Sequence, residues 1–155
     1  MAELLANSGF TGCFTKAGLG IGSTPAELSI AAPNGAGVDF AIDGYAYHLA
    51  DDATVAMSAM SVQAASTSCL YLVELDSSGT LSTKKGKEEL TADLGVSATL
   101  QWPSPSEDKC PIGGFKVALN SSTTFTGATT DLDASGVTDT YYDFMGGIPN
   151  TPVTS

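Results

Sequence analysis

One stretch, from Val38 to Leu49 with Asp43-Gly44 at its centre, constrains the fold of this chain more than any other. An Asp-Gly pair between alternating large apolar residues predicts a β-hairpin, because a type I′ turn needs a positive φ at both central positions. A two-residue turn also fixes which residues lie opposite each other. The predicted pairs are Val38 with Leu49, Phe40 with Tyr47 and Ile42 with Tyr45 on one face, and Asp39 with His48 and Ala41 with Ala46 on the other. We expect the first face to be covered by the rest of the domain.

Later segments also indicate strands. Residues 68–75 are apolar on both faces, which predicts a central strand buried on both sides. A turn at 76–79, with Gly79 in the left-handed position, returns the chain along 80–83. Two further strands are predicted at 112–119 and 137–144. The fold class that follows is mainly β: an antiparallel β-sandwich, or a small barrel-like sheet pair.

Four segments give weaker signals. Residues 55–62 alternate imperfectly, which indicates a strand but leaves a short helix open. Lysines in 84–87 indicate a solvated sheet edge, and 88–94 predict one or two helical turns. Trp102 precedes two prolines that cannot donate to a strand ladder, so we expect it to cap the core from outside the sheet.

The chain divides into an extended N-terminal arm (1–28), a β domain (29–145) and a C-terminal tail (146–155). Frequent glycines in the arm predict neither a stable helix nor a strand of its own. The arm is nevertheless too apolar for a solvated tail. It either becomes ordered against a neighbouring molecule or covers its own core. In the first case its contacts would be Phe10, Phe14, Leu19 and Ile21.

Charge narrows the range of partners. The 155 residues carry a formal net charge of −11, and all six basic residues are lysines. Arginine is the usual residue for binding phosphate, and an acidic surface repels a nucleic-acid backbone, so we expect no nucleic-acid partner. No apolar run approaches the ~18 residues of a membrane span, and no signal peptide is recognisable, so we expect no membrane partner. The odd number of widely spaced cysteines fits synthesis in a reducing cytoplasm.

Catalytic and metal-binding patterns are weak. The hairpin register places Asp39 across from the only histidine, His48, and such a pair could orient a general base. No nucleophile or oxyanion feature can be tied to it, so an exposed cross-strand pair is the better interpretation. Residues 131–136 resemble the first half of a calcium loop, but Tyr142 occupies the position of the bidentate glutamate. We therefore predict no enzyme, no catalytic residue, no metal and no cofactor.

Four segments together resemble the virion proteins of tailed bacteriophages. In chain order these are the hairpin Phe40 to Tyr47 with its Ile-Asp-Gly-Tyr turn, the strand Cys69 to Thr80 ending Asp-Ser-Ser-Gly-Thr, Pro111 to Val117 (Pro-Ile-Gly-Gly-Phe-Lys-Val), and Phe125 to Thr138. Each motif is short, and their succession carries the resemblance. It is closest in character to capsid decoration, or cement, proteins and related head or tail components.

The resemblance implies a β-rich structural protein without catalytic residues. Its partner would be the major capsid protein, and it would be a homo-oligomer, with a trimer favoured. It would be made in the host cytoplasm and lie on the outer surface of the capsid, where an acidic protein is kept away from packaged nucleic acid. A host-recognition module on a fibre or tail, binding glycans through exposed Tyr and Trp, is the alternative. A hydrolase that uses His48 is a third.

Overall fold

A computed structural model of the chain describes residues 9–149. The ladders between its named strands are all antiparallel. The strands are β1 (Gly12–Cys13), β2 (Leu19–Ile21), β3 (Leu28–Ile30), β4 (Val38–Ile42), β5 (Tyr45–Leu49), β6 (Asp52–Val55), β7 (Thr67–Leu75), β8 (Leu81–Lys85), β9 (Glu89–Leu90), β10 (Cys110–Leu119) and β11 (Val137–Asp143). The fold is therefore mainly β, as predicted.

Three sheets surround one core. The hairpin sheet has the order β1-β4-β5, the central sheet β11-β10-β7-β8 with β9 also on β7, and the small sheet β2-β3-β6. One apolar cluster takes residues from all three sheets. Within residues 9–149 the sheets stay open and do not close into a barrel. Of the two predicted architectures, the sandwich-like one is the one that the chain adopts.

The predicted hairpin is confirmed, pair by pair, between β4 and β5. Asp43 and Gly44 have φ values of 50° and 83°, as the turn requires. The rings of Phe40 and Tyr47 stack with centroids 5.6 Å apart. The β4 side of the ladder is buried, but Tyr45 at the turn is 70% exposed. The expectation that the whole apolar face is covered is thus correct for β4 and in part for Tyr47 and Leu49, which pack against the core, but it is wrong for Tyr45 beside the turn.

The central sheet is built on the most apolar strand. β7 is buried along its whole length, so the prediction of a strand covered on both sides is confirmed. β10 lies between β7 and β11 and places Phe115, Val117 and Leu119 in the core, also as predicted. Tyr71 of β7 stacks on Phe115, its register partner, at 4.9 Å. Large rings thus fill the space between the central sheet and the other two.

The opposite face of the central sheet is covered by Trp102, as predicted. A Cβ on Gly114 would lie 2.3 Å from the six-membered ring of Trp102, so the indole occupies the space that a side chain would fill. The same indole meets Phe144 edge-on at 5.0 Å and Tyr142 at 5.5 Å. Its segment, 101–106, lies outside every strand, which is consistent with its prolines.

Residues 9–28 contain two short strands and enter a third, which contradicts the prediction of an arm without strands. β1 pairs with β4, and β2 pairs with β3. Cys13, Ala17 and Leu19 belong to the apolar core. Of the two alternatives for this segment, covering its own core describes these residues. Residues 1–8 of the predicted arm lie outside the described part of the chain, as does most of the predicted C-terminal tail, 150–155.

Three of the weaker local predictions need correction. The strand predicted for 55–62 ends at Val55, and the rest of that segment is a connection. The predicted helical turns at 88–94 reduce to a single 3₁₀ turn, Thr91–Asp93. The lysine segment is not simply solvated, because Lys85 donates to the Val62 carbonyl (2.7 Å) and to Glu88 Oε1 (2.5 Å). Lys85 thus connects this segment to the chain that follows β6.

Among the described residues, no helix has the length and apolar character needed to cross a membrane.

Candidate interaction surface

Two phenylalanine rings form an exposed stack on the outer face of the hairpin sheet. Phe10 and Phe14 have centroids 5.6 Å apart and are 45% and 51% exposed. Gly12 lies between them in sequence, and a Cβ there would be 2.8 Å from the Phe10 ring. Ala41, the register partner of Gly12, is buried although the alternation of β4 places it on this outer face. The two rings therefore lie close to the sheet rather than projecting freely.

Backbone hydrogen bonds hold this segment in place. The Gly44 N–H donates to the Phe10 carbonyl (2.9 Å), and the Phe14 N–H donates to the Asp39 carbonyl (2.8 Å). On its other edge β1 exchanges two hydrogen bonds with the chain after β11, because Cys13 and Gly146 each donate to the other's carbonyl (2.9 and 2.8 Å). The aromatic stack is thus mounted on a backbone that is paired on both sides.

Met145 extends the exposed apolar surface. The antiparallel pairing of Cys13 with Gly146 sets Met145 opposite Phe14, and Met145 is 57% exposed. We call Phe10, Phe14 and Met145 the outer patch. Exposed clusters of large apolar side chains in an otherwise polar surface mark interaction sites more often than isolated ones do. Nothing in the sequence near Met145 could have assigned it to this surface, since the assignment depends on the long-range pairing with β1.

The structure divides the four residues predicted as an interface. Phe10 and Phe14 come together in the outer patch, and Ile21 is exposed on a different sheet. Leu19 is only 8% exposed, and its side chain lies against Gly113 of the central sheet. Its N–H also donates to Asp143 Oδ1 (3.0 Å). Leu19 is therefore a core residue, and its prediction as a contact with another molecule is corrected.

The predicted Asp39–His48 pair forms at the same face of the hairpin sheet. Asp39 Oδ1 lies 2.8 Å from His48 Nδ1, and both side chains are about half exposed, at 47% and 52%. The carbonyl of Asp39 also accepts from Phe14, so the pair lies beside the outer patch. It supplies a polar rim to that patch. Its exposure and its place in a regular ladder are those of a cross-strand pair.

A cleft of about 680 Å³ opens beside the loop 102–109. Among the side chains that line it are those of Thr11, Asp43, Trp102, Glu107 and Lys109. One wall comes from the N-terminal segment, since Thr11 Oγ1 accepts from the Asp43 N–H (3.0 Å). The lining combines one aromatic ring with groups of both charges and hydroxyls, which suits a polar ligand that also has an apolar face.

A buried carboxylate holds the loop beside this cleft. Glu74 lies on β7 and is fully buried, and it accepts from the Ser106 N–H (2.6 Å) and the Ser106 hydroxyl (2.9 Å). A buried carboxylate without such partners would be strongly unfavourable. The two hydrogen bonds therefore fix the loop that carries Trp102 and Lys109.

Replacing Glu74 with alanine should lower the free energy of unfolding by about 1–3 kcal/mol, because Ser106 loses both acceptors. Urea unfolding followed by tryptophan fluorescence would measure the loss. Ser106→Ala should cost less, since its backbone hydrogen bond to Glu74 survives. Glu107→Ala, at an exposed position next to Ser106, is the control. It should change the free energy of unfolding by less than about 0.5 kcal/mol. Equal losses in Glu74→Ala and Glu107→Ala would contradict this role.

The calcium-like segment is used for packing. Leu132, inside it, is fully buried and donates its N–H to the Pro25 carbonyl (2.9 Å). Gly136 ends the segment with a φ of 89°, and its N-terminal neighbour Ser135 accepts from the Thr123 hydroxyl through its carbonyl. Among the described residues, no group of three or more His, Cys, Asp and Glu side chains is placed to hold a metal ion. The turn fixes Leu132 in the core.

No protein-family model matches the chain, and neither the comparison with curated proteins nor the comparison with solved structures gives a match.

Proposed function

We propose that this chain is a structural virion protein of a tailed bacteriophage that binds and stabilises the assembled capsid. In this proposal it contacts the major capsid protein on the outer surface of the shell, as a decoration protein does. The succession of short motifs described above supports the proposal, and so does a mainly β fold of antiparallel sheets. The same resemblance favours a homo-oligomer, and among oligomeric states it favours a trimer.

The observation that carries the proposal is the outer patch. Phe10 and Phe14 keep about half of their surface in solvent, while the short strand between them is hydrogen-bonded on both edges. Aromatic side chains already held in place lose little conformational entropy on binding, and such anchors dominate the energy of protein interfaces. A polar rim, supplied here by Asp39 and His48, is the usual surrounding of such an anchor.

Charge supports an outer location. The net charge of −11, with no arginine, disfavours a position against packaged nucleic acid. It also keeps the protein soluble at high concentration before assembly, despite its exposed rings. A surface that is acidic overall and apolar in one patch suits a partner whose contact site is apolar at its centre and basic around it.

The double variant Phe10→Ser, Phe14→Ser tests this role. We expect it to bind empty shells of the phage that encodes the chain on the order of 100-fold more weakly, since two aromatic anchors are lost. Co-sedimentation of labelled protein with purified shells measures the affinity. The control is Tyr45→Ser, which removes an exposed ring from the turn of the same hairpin, on the opposite face of the sheet.

Thermal melting checks that the double variant is folded. Decoration at unchanged affinity by the folded double variant would overturn the assignment of the outer patch. Equal weakening by Tyr45→Ser would assign the contact to a broader surface of the hairpin. If the unmodified chain fails to bind shells at all, the capsid role itself is wrong.

The cleft favours one second candidate, a host-recognition module that binds glycans. A partly exposed Trp102 beside hydroxyl and charged groups offers a stacking surface and hydrogen bonds to a sugar ring. In that case soluble protein would bind host cells and not shells. Glu107→Ala and Lys109→Ala would weaken that cell binding, while the outer-patch variant would leave it unchanged.

A further inference from the structure

Two cysteines from different sheets meet inside the core. Cys13 on β1 and Cys110 at the start of β10 have their Sγ atoms 3.9 Å apart, although 97 positions separate them in sequence. Both thiols are buried, and both lie near the carbonyl oxygen of Pro111 (3.7 and 3.8 Å). Their spacing in the sequence follows no motif, so the pair could not be predicted from it. The pairing is a product of the fold.

The third cysteine has a different environment. Cys69 is buried on β7, with Sγ 3.3 Å from the Gly86 carbonyl and 3.6 Å from that of Leu70. Burial raises the pKa of its thiol to about 12. It therefore remains a protonated, unreactive thiol at neutral pH and provides an internal control.

The two paired thiols are not equivalent. A hydrogen bond from Cys13 lowers the pKa of Cys110, and a backbone hydrogen bond from Ala41 acts in the same direction against the effect of burial. The pKa of Cys13 is raised by that same hydrogen bond, by burial and by the negative charge of its partner. Both effects favour Cys110 as the thiol of the pair that ionises more readily.

We propose that Cys13 and Cys110 are an oxidation site that closes into a disulfide between the hairpin sheet and the central sheet. A disulfide needs an S–S distance of about 2.05 Å, so the sulfurs must approach by about 2 Å. β1 consists of only two residues, so the required approach is a shift of this short strand and of the two cysteine side chains rather than of a whole sheet. The inference rests on the distance between the two sulfurs and does not depend on the proposed binding to a capsid.

The chemistry is exchange with a small disulfide such as oxidised glutathione. The Cys110 thiolate attacks one sulfur of glutathione disulfide, which forms a mixed disulfide and releases one glutathione thiolate. That thiolate takes the proton of Cys13. The Cys13 sulfur then attacks Cys110 Sγ and releases the second glutathione thiolate, which takes up the proton lost by Cys110. Two protein thiols are oxidised, and one small disulfide is reduced to two thiols.

The bond would fix the strand that bears the outer patch. Cys13 lies between Gly12 and Phe14, so a link to β10 ties the exposed rings covalently to the central sheet. It would also close a loop of 97 positions, and long closed loops restrict the unfolded chain most. We expect the melting temperature to rise on the order of 10 °C on oxidation.

The experiment oxidises the full chain with glutathione disulfide by two routes. One portion is incubated folded, and a second is refolded from denaturant in a glutathione redox buffer, so that burial of the thiols does not prevent reaction. Intact mass should fall by the mass of two hydrogen atoms, and a proteolytic digest without reductant should contain the Cys13–Cys110 cross-link. The higher melting temperature should return to its original value on reduction.

Matched variants assign the bond. Cys69→Ser should still form the cross-link and still gain in melting temperature, whereas Cys13→Ser and Cys110→Ser should do neither. The proposal is overturned if neither route produces the Cys13–Cys110 cross-link. It is equally overturned if Cys69 is the partner found, or if the cross-linked protein melts at a lower temperature than the reduced one.

Discussion

Replacing Phe40 with alanine is expected to lower the free energy of unfolding by about 3–5 kcal/mol. The ring is fully buried and stacks on Tyr47, its register partner across the hairpin. It belongs to the apolar cluster to which all three sheets contribute, so its removal leaves a cavity in that core. A regular backbone ladder on both sides of β4 restricts any collapse into that space.

Chemical denaturation with far-ultraviolet circular dichroism measures this loss. Ala46→Ser is the matched control, because Ala46 lies on the opposite face of the same hairpin and is exposed. It should change the free energy by less than about 0.5 kcal/mol. Ala41 would be a poor control, since the outer face covers it. Similar losses at Phe40 and Ala46 would mean that the hairpin register is wrong.

The hairpin, β7 and β10 could be predicted because their information is local. A turn that needs positive φ, strict alternation and a continuous apolar run each define structure within about ten residues. The same holds for the turn after β7, where Gly79 has a φ of 77° and its N–H donates to the Asp76 carbonyl. In each case the nearest neighbours in sequence are also those that decide the conformation.

The N-terminal segment could not be predicted in this way, because its glycines serve distant contacts. A Cβ on Gly12 would lie 2.2 Å from the Gly146 carbonyl oxygen, and one on Gly18 would lie 2.1 Å from that of Ala31. These glycines permit close backbone approach, whereas in isolation they indicate an irregular arm. Since the same segment supplies Cys13 and Leu19 to the core, point variants at Phe10 and Phe14 test the outer patch better than truncation does.

The candidate site was predicted only in part for the same reason. Apolar side chains in a glycine-rich segment indicated an interface, and two of the four predicted residues, Phe10 and Phe14, lie together on the surface. Met145 joins them through an isolated pairing between Cys13 and Gly146. The loop beside the cleft depends on Glu74, which occupies a place in β7 that the apolar pattern alone would give to a hydrophobic residue. Polar groups that join distant segments leave no periodic signal.

Gln63 is the clearest example of such a group, and its replacement with leucine is expected to cost about 3 kcal/mol or more. The side chain is fully buried, and it lies directly after the segment 55–62 that the sequence marked as a poorly alternating strand. Its amide donates to the carbonyls of Thr67 (3.1 Å) and Val117 (3.0 Å), and its oxygen accepts from the Tyr71 hydroxyl (2.8 Å). Its backbone pairs with Phe125 on the other side. One residue thus connects three parts of the core.

Leucine fills a similar volume but satisfies none of these groups. The Tyr71 hydroxyl would be left buried without an acceptor, and an unsatisfied buried group costs about 1–3 kcal/mol. Loss of the two carbonyl contacts adds to this cost, since each is a hydrogen bond made away from water. The loss should be measured as the change in free energy of unfolding in urea, with Gln101→Leu as the control at an exposed glutamine.

The double variant Gln63→Leu, Tyr71→Phe separates the contribution of the Tyr71 hydroxyl from that of the two carbonyl contacts of Gln63. Removing the orphaned hydroxyl should make the double variant more stable than Gln63→Leu alone, while Tyr71→Phe in the unmodified background should be destabilising. That reversal of sign is specific to a hydrogen bond between the two side chains, because a pure packing role would give losses that add. If Gln63→Leu is no worse than Gln101→Leu, the buried amide does not join the segments of the core, and the connection must come from the backbone pairing with Phe125 alone.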